Sequence, residues 1–257
     1  MIEGRTVCLM YHELELPGRA LCQPEAGYVR YIVNIDNFRQ QLVALRDAGS
    51  QGISVSQMIA GQSGVALTFD DGCETDLLAA APLLKEFGFG VTFYITVGFL
   101  GKQGYLSHQQ VRELGKYGCD IGCHSVTHPY LTDLDDAGLE LEVADAKASL
   151  EQISGVPVEH FSCPGGRWDP RVAEVARLAG YKSVATSQTG TNSKSTDVFC
   201  LKRIAVMRET SLPEFERVAR GRGLWPMQLR EGTRSAVRRI MGNSAYDKLR
   251  SILLRDA

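Results

Sequence analysis

No apolar run in this chain approaches the ~20 residues that a bilayer-spanning helix requires. The amino terminus also lacks the charged-then-apolar pattern of a secretory leader. Net charge is slight, −2 over 257 residues, which removes the usual electrostatic reason to expect nucleic acid as a partner. No Gly-x-Gly-x-x-Gly and no Walker loop follows any strand-like run, so a nucleotide-binding fold has no support. The even cysteine count of a disulfide framework is missing too. The seven cysteines, Cys8, Cys22, Cys73, Cys119, Cys123, Cys163 and Cys200, are scattered through apparent core strands. They read as buried thiols in a reducing compartment, and the expected location is cytoplasmic. What remains is an ordinary globular composition, 44% hydrophobic and 23% charged, long enough to bury a full core. Ile2-Glu3-Gly4-Arg5 reads either as a protease-site tag or as native sequence and carries no structural weight.

Strand and helix signals alternate along the chain. Val7–Tyr11 reads as a buried strand ending in His12-Glu13, and the Gly- and Pro-rich stretch 15–34 as a long loop, a feature that is often functional. A helix follows with Asp36 as N-cap and Phe38, Leu42 and Leu45 as its apolar stripe. Further strands are expected at 53–55, 65–69, 91–96, 119–123, 158–161, 183–185 and 199–206, with helices between them. One long helix over 133–154 is expected to turn Leu134, Ala137, Leu141, Ala144 and Ala148 inward. Repeated βα units argue for a parallel sheet, and their number favours a barrel over an open doubly wound sheet.

Three clusters carry chemistry. In Val65-Ala66-Leu67-Thr68-Phe69-Asp70-Asp71-Gly72 an apolar strand ends in two adjacent carboxylates. Side chains converge on ligands at the carboxyl ends of parallel strands. Neighbouring side chains leave the backbone in different directions, so one carboxylate can grip a metal while the other handles a proton. A plain Asp-Gly turn is the competing reading. In Cys119-Asp120-Ile121-Gly122-Cys123-His124-Ser125-Val126-Thr127-His128, two histidines four apart can meet one ion. Aspartate plus two histidines suits a borderline divalent metal with open positions. The rival, a structural zinc on Cys119, Cys123, His124 and His128, is disfavoured because Cys119 and Cys123 share a strand face that His124 does not. In Phe161-Ser162-Cys163-Pro164-Gly165-Gly166-Arg167-Trp168, a Pro-Gly-Gly turn after a strand can present backbone N–H groups to an oxyanion; a simple βα turn is the alternative.

Taken in order, Thr-Phe-Asp-Asp-Gly, His-Ser-x-x-His and x-x-Pro-Gly-Gly on successive strand ends resemble the polysaccharide deacetylase family, built on the NodB homology domain. The resemblance covers roughly residues 7–206. A first strand ending in Tyr11-His12 resembles a subgroup found in exopolysaccharide gene clusters. The resemblance implies an α/β fold, a distorted (β/α) barrel of about seven strands, with one divalent ion held by Asp71, His124 and His128. Zinc is the first expectation, cobalt or another divalent ion the second. It implies Asp70 as general base, a backbone N–H near Gly165 and Gly166 as oxyanion donor, and Trp168 beside the substrate. Two departures stand out. Ser162 occupies the place of the arginine that usually orients the base, with Arg167 downstream as a substitute. No histidine follows His160, and the usual Leu-x-His acid is met by Leu201-Lys202-Arg203. Arginine is a poor proton donor, so either His12 or a metal-bound water donates the proton, or catalysis is slow, with His12 at a strand end as the candidate general acid.

The reading is a metal-dependent deacetylase that removes the N-acetyl group of an amino sugar in surface-polysaccharide synthesis. An O-acetyl esterase or a non-sugar amidase would use the same site, and a metal-binding scaffold without catalysis is the reading from another class. The domain division is a barrel over 1–211 and a helical extension over 212–257. The extension carries ten Lys or Arg against five Asp or Glu, with Leu229, Val237, Ile240, Tyr246, Leu249 and Leu253 as apolar positions. Its basic face is read as a solvated surface or as a peripheral contact with an anionic inner membrane or a lipid-linked saccharide. The oligomeric state has no sequence signal.

Overall fold

The computed structural model describes residues 4–241. In chain order its strands are β1 (Val7–Tyr11), β2 (Leu14–Glu15), β3 (Val33–Asn34), β4 (Gly52–Ile53), β5 (Val65–Phe69), β6 (Thr92–Ile95), β7 (Asp120–Cys123), β8 (His160–Ser162), β9 (Ser183–Ala185) and β10 (Ile204–Ala205). β1 and β5 are buried at every position, as expected of parallel strands covered on both faces. The main sheet runs β10-β1-β5-β6-β7-β8-β9, all parallel, with β4 beside the first half of β5. Its two ends meet at a single parallel bridge, Ala185 to Leu201. The result is a distorted barrel with a weak seam, in agreement with the expected fold class.

Register decides where the chemistry collects. Tyr11 pairs with Phe69, Ile95 with Cys123, and Ser162 with Ala185. His12, Asp70, Thr96, His124 and Thr186 therefore all leave the sheet at one mouth. Below it the core is aromatic. Tyr11 stacks on Phe69 at 5.1 Å, and Phe93 lies 5.4 Å from Phe69 on the other side. The loop 15–34 is tied down at both ends, because β2 and β3 pair with each other, and it contains the short helix Ala26–Val29.

Three local expectations are corrected. The helix Ile35–Asp47 is capped by Asn34, whose Oδ1 accepts the Asp36 N–H at 2.9 Å, so Asp36 sits inside the first turn. The expected strand 199–206 is instead a 3-10 turn, Val198–Cys200, followed by the two-residue β10. Between them Arg203 turns inward, its Nε donating to the Thr186 carbonyl at 2.8 Å. The long helix begins after Asp135, whose side chain caps Gly138 N–H, and runs through a wider π-helical turn at Leu141–Asp145. Its buried face is Leu139, Glu142, Val143, Ala146 and Leu150, while Leu141 is 48% exposed.

Part of the expected extension belongs to the core. The helix Leu212–Ala219 caps on Ser211 and buries Phe215 and Val218 in the same apolar cluster as Leu9 and Leu42. A second helix, Trp225–Met241, follows. Tyr246, Leu249 and Leu253 lie outside the described residues. No helix among the described residues is long and apolar enough to cross a membrane.

Candidate active site and metal centre

Asp70 and Asp71 follow directly on β5 and diverge as adjacent residues must. Asp70 stays in the extended line of the strand, its N–H donating to the Tyr11 carbonyl at 3.0 Å. Asp71 turns into the left-handed region at φ 79°. The other non-glycine residues with positive φ among those described are Ser125 (69°) and His128 (64°). Side-chain sterics disfavour this region for non-glycine residues, and such strain persists where surrounding structure enforces it. All three lie in the two clusters singled out as metal-binding.

The ligand atoms converge. One donor each from Asp71, His124 and His128 lie within 4.8 Å of one another. Asp71 Oδ1 is 3.6 Å from His124 Nε2 and 3.5 Å from His128 Nε2. His124 Nδ1 sits 2.8 Å from the Ser162 carbonyl. A carbonyl only accepts, so Nδ1 carries the proton and Nε2 is left as a ligand, the usual way a second contact fixes a metal-binding tautomer. Burial pushes the His124 ring down to about 3 and lowers His128 as well, which keeps the rings in the neutral form that coordination needs. Asp71 Oδ1 is buried with no hydrogen-bond partner. Burial first, and then the Asp70 charge beside it, push its carboxyl up to about 6 against the easing effect of His12. An orphaned buried oxygen facing two neutral imidazoles fits a divalent cation, and the N/O donor set fits zinc chemistry.

Asp70 is held differently. Arg203 grips it bidentately, Nη1 to Oδ1 at 2.7 Å and Nη2 to Oδ2 at 2.8 Å. Ser162 Oγ donates to Oδ2 at 3.2 Å and itself accepts from Arg203 Nη2 at 2.8 Å. Arg203 is fully buried and also donates to Thr68 Oγ1 and the Thr186 carbonyl. Burial alone would raise the Asp70 carboxyl, but the Arg203 charge outweighs it and holds the group well below the usual carboxylate range. Two ions taken out of water are tolerated only when geometry and extra hydrogen bonds compensate, and here both do. By sequence Arg167 is the expected partner that orients Asp70, and the structure corrects this. In the structure the Arg167 guanidinium lies 3.3 Å from the centre of the Tyr130 ring and 3.9 Å from Asp133. The guanidinium on Asp70 is that of Arg203.

The remaining predicted residues fall around this centre. His12 follows β1 beside Asp70. Its ring lies 4.9 Å from that of Tyr31, and its buried Nδ1 has no hydrogen-bond partner. Gly165 and Gly166 form a 3-10 turn with φ of 60° and 66°. The Gly166 N–H is already taken by the Cys163 carbonyl at 2.8 Å, which turns the oxyanion assignment to Gly165. A Cβ on Gly166 would stand 2.2 Å from Ser187 Oγ. Trp168 is half-buried, its indole N–H donating to the Phe199 carbonyl at 2.8 Å. Cys123 is buried in the core and Cys119 Sγ donates to the Leu114 carbonyl at 3.1 Å.

Glu142 was missed from the sequence. From its π-helical turn it accepts the Val126 and Thr127 N–H groups, both at 2.8 Å, and the Thr127 hydroxyl at 2.6 Å. It thereby holds the loop between the two histidines. A glutamate on an otherwise apolar helix face was the available signal.

The polysaccharide deacetylase family matches residues 59–184, the stretch that carries both aspartates, both histidines, Ser162 and the glycine turn. Over that segment, just under half of its length, the chain has the polysaccharide deacetylase domain. The Bacillus subtilis protein YxkH is 24% identical over 77% of this chain and 70% of its own length. The Bacillus cereus peptidoglycan-N-acetylglucosamine deacetylase is 33% identical over 48% of this chain and 56% of its own. Among solved structures, the Streptococcus pyogenes deacetylase PplD, in complex with acetate, superposes with a TM-score of 0.73. It shows 25% identity and covers 82% of this chain and 96% of that one. His12 and Arg203 both lie outside the segment that the family matches.

Proposed function

We propose that the protein is a metal-dependent deacetylase that hydrolyses the N-acetyl group of an amino sugar within a saccharide. The observation that carries this reading is the orphaned Asp71 oxygen facing His124 and His128, with a second, ionised carboxylate, Asp70, 3.9 Å from His124 Nε2. A divalent ion bound by Asp71, His124 and His128 would supply an electrophile that acidifies water and polarises the acetyl carbonyl. Asp70 takes the proton of the attacking water. Arg203 and Ser162 keep it charged and aimed, at some cost to its basicity. The Gly165 N–H stabilises the oxyanion that develops at the carbonyl. His12, at the mouth beside Asp70, donates a proton to the leaving amine.

The finer reading is zinc as the ion and a surface polysaccharide, lipid-linked during assembly, as the substrate. The all-N/O donor set supports zinc. The Tyr11-His12 strand end supports the exopolysaccharide subgroup, and the basic balance of residues 212–257 supports an anionic or lipid-linked partner. The test is acetate release with zinc or cobalt from a panel of N-acetylated sugar oligomers and one O-acetylated substrate. Metal-dependent release from the N-acetyl panel, lost in Asp70→Asn, is expected. Release from the O-acetylated substrate alone would move the reaction to ester hydrolysis. No release from any substrate, lipid-linked oligomers included, would leave a scaffold.

A further inference from the structure

A second set of metal-ligating side chains lies outside the catalytic roles described above. Glu13 follows His12, Cys73 lies two residues beyond Asp71, and Cys22 comes from the loop 15–34. One donor atom from each, a carboxylate oxygen and two sulfurs, lie within 4.8 Å of one another. Ligands about 2.0–2.3 Å from a tetrahedral zinc stand about 3.3–3.8 Å apart from one another. Donors at the 4.8 Å limit would close by about 1 Å to reach that spacing.

The surroundings are built in the way metal sites are. The Glu13 side chain is fully buried and its carboxylate is oriented by the Cys22 N–H at 3.0 and 3.1 Å and by Arg19 at 3.1 Å. The Tyr28 hydroxyl lies 3.2 Å from Cys73 Sγ, placed to donate to a thiolate, and Cys22 Sγ is held at the Gly104 carbonyl at 2.9 Å. Such outer partners are what orient ligands in metal centres. Asp76 is fully buried, and neither of its carboxyl oxygens has a hydrogen-bond partner. Burial, followed by the sulfur of Cys22, raises its carboxyl well above the usual range. A carboxyl buried in this way is held as the neutral acid.

We infer that Cys22, Cys73 and Glu13 form a second, thiolate-rich site for a zinc-type divalent ion. On binding, each thiol releases its proton to solvent and the sulfur lone pair forms the bond to the metal. The site joins three distant parts of the chain: the end of β1, the loop 15–34 and the turn after Asp71. Its consequence is to clamp that loop beside the catalytic mouth. The inference does not depend on the substrate proposed above.

Cobalt(II) separates the two sites, because sulfur ligands give an intense near-ultraviolet charge-transfer band that an Asp/His set cannot. The full chain, reduced and metal-free, is titrated with cobalt(II), and bound metal is counted by mass spectrometry. Two equivalents are expected, one of them developing the sulfur band. Asp71→Asn is expected to keep the band and lose the other equivalent. Cys22→Ser, at a half-buried loop position, is expected to lose the band and one equivalent while melting like the wild type without metal. A second variant, Glu13→Gln, is expected to keep the band with at least tenfold weaker cobalt binding. Binding of a single equivalent without the band, or a band that survives in both Cys22→Ser and Cys73→Ser, would overturn the inference. So would a Cys22–Cys73 disulfide in the purified protein that still binds no second ion after reduction.

Discussion

At the scale of residues, Asp70 and Asp71 are neighbours in sequence with opposite electrostatic fates. Asp70 sits under a buried guanidinium, and Asp71 sits among neutral rings with one oxygen orphaned. Their isosteric amides should therefore separate. Asp70→Asn should lower kcat by 10²–10⁴-fold, roughly the range of general-base catalysis, while metal content stays at the wild-type level. Asp71→Asn should lose turnover and the metal equivalent bound with His124 and His128, as read by metal analysis beside acetate release. Arg203 makes a sharper case. Arg203→Met strips Asp70 of its buried partner and should cost about 3–5 kcal/mol in urea denaturation. Adding Asp70→Asn to it should restore most of that loss without restoring turnover. Equal destabilisation in the single and double variants would refute the assigned pair.

At the scale of elements, the site is held by pieces that are irregular. The strained turn of Ser125 to His128 hangs from Glu142, and Glu142 points inward because the helix widens at Leu141–Asp145. π-helical turns of this kind recur at functional sites. Glu142→Gln keeps the shape but gives up a charged acceptor for three donors. It should weaken zinc affinity about 10–100-fold, the range for outer-shell partners, with a much smaller change in melting temperature. A competitive chelator titration measures the first and calorimetry the second. The helix Leu212–Ala219 is a different kind of element, one whose apolar face completes the barrel wall. Phe215→Ala should cost about 3–5 kcal/mol as a buried aromatic truncation. A cost under 1 kcal/mol would show that the helix is an appendage.

At the scale of the whole molecule, the barrel mouth sets the pH range of metal binding. In the metal-free fold the Asp71 carboxyl titrates at about 6, above its unfolded 3.8. Its contribution to metal-free stability is present below 3.8 and is lost as pH rises through 6, when a second charge appears beside Asp70. A divalent ion relieves that charge. Metal affinity should thus be level above pH 6 and fall about tenfold per unit below it, because one proton must then be displaced from Asp71. His124, neutral above about 3, adds none in this window. Zinc competition titrations between pH 5 and 7.5 measure the slope, and a flat profile would contradict it.

Much of this protein was written locally. Buried parallel strands need unbroken apolar runs, so β1 and β5 were legible, and with them the mouth where Asp70, Asp71 and His12 emerge. Two histidines four apart needed only one turn of loop to meet an ion, and the glycine turn after β8 needed only the left-handed conformations that glycine allows. Tertiary structure decided the rest. Ser162 in place of an arginine left the base without a partner in sequence, and Arg167 was the nearest candidate by chain distance. The partner came instead from Arg203, 133 positions along, because β10 pairs with β1 and turns that side chain into the barrel. Glu142 reached the histidine loop, and Cys22 reached Cys73, by the same route. Apolar periodicity and turn chemistry are properties of neighbouring residues, whereas the choice of a buried charge's partner depends on strand order and has no local signature.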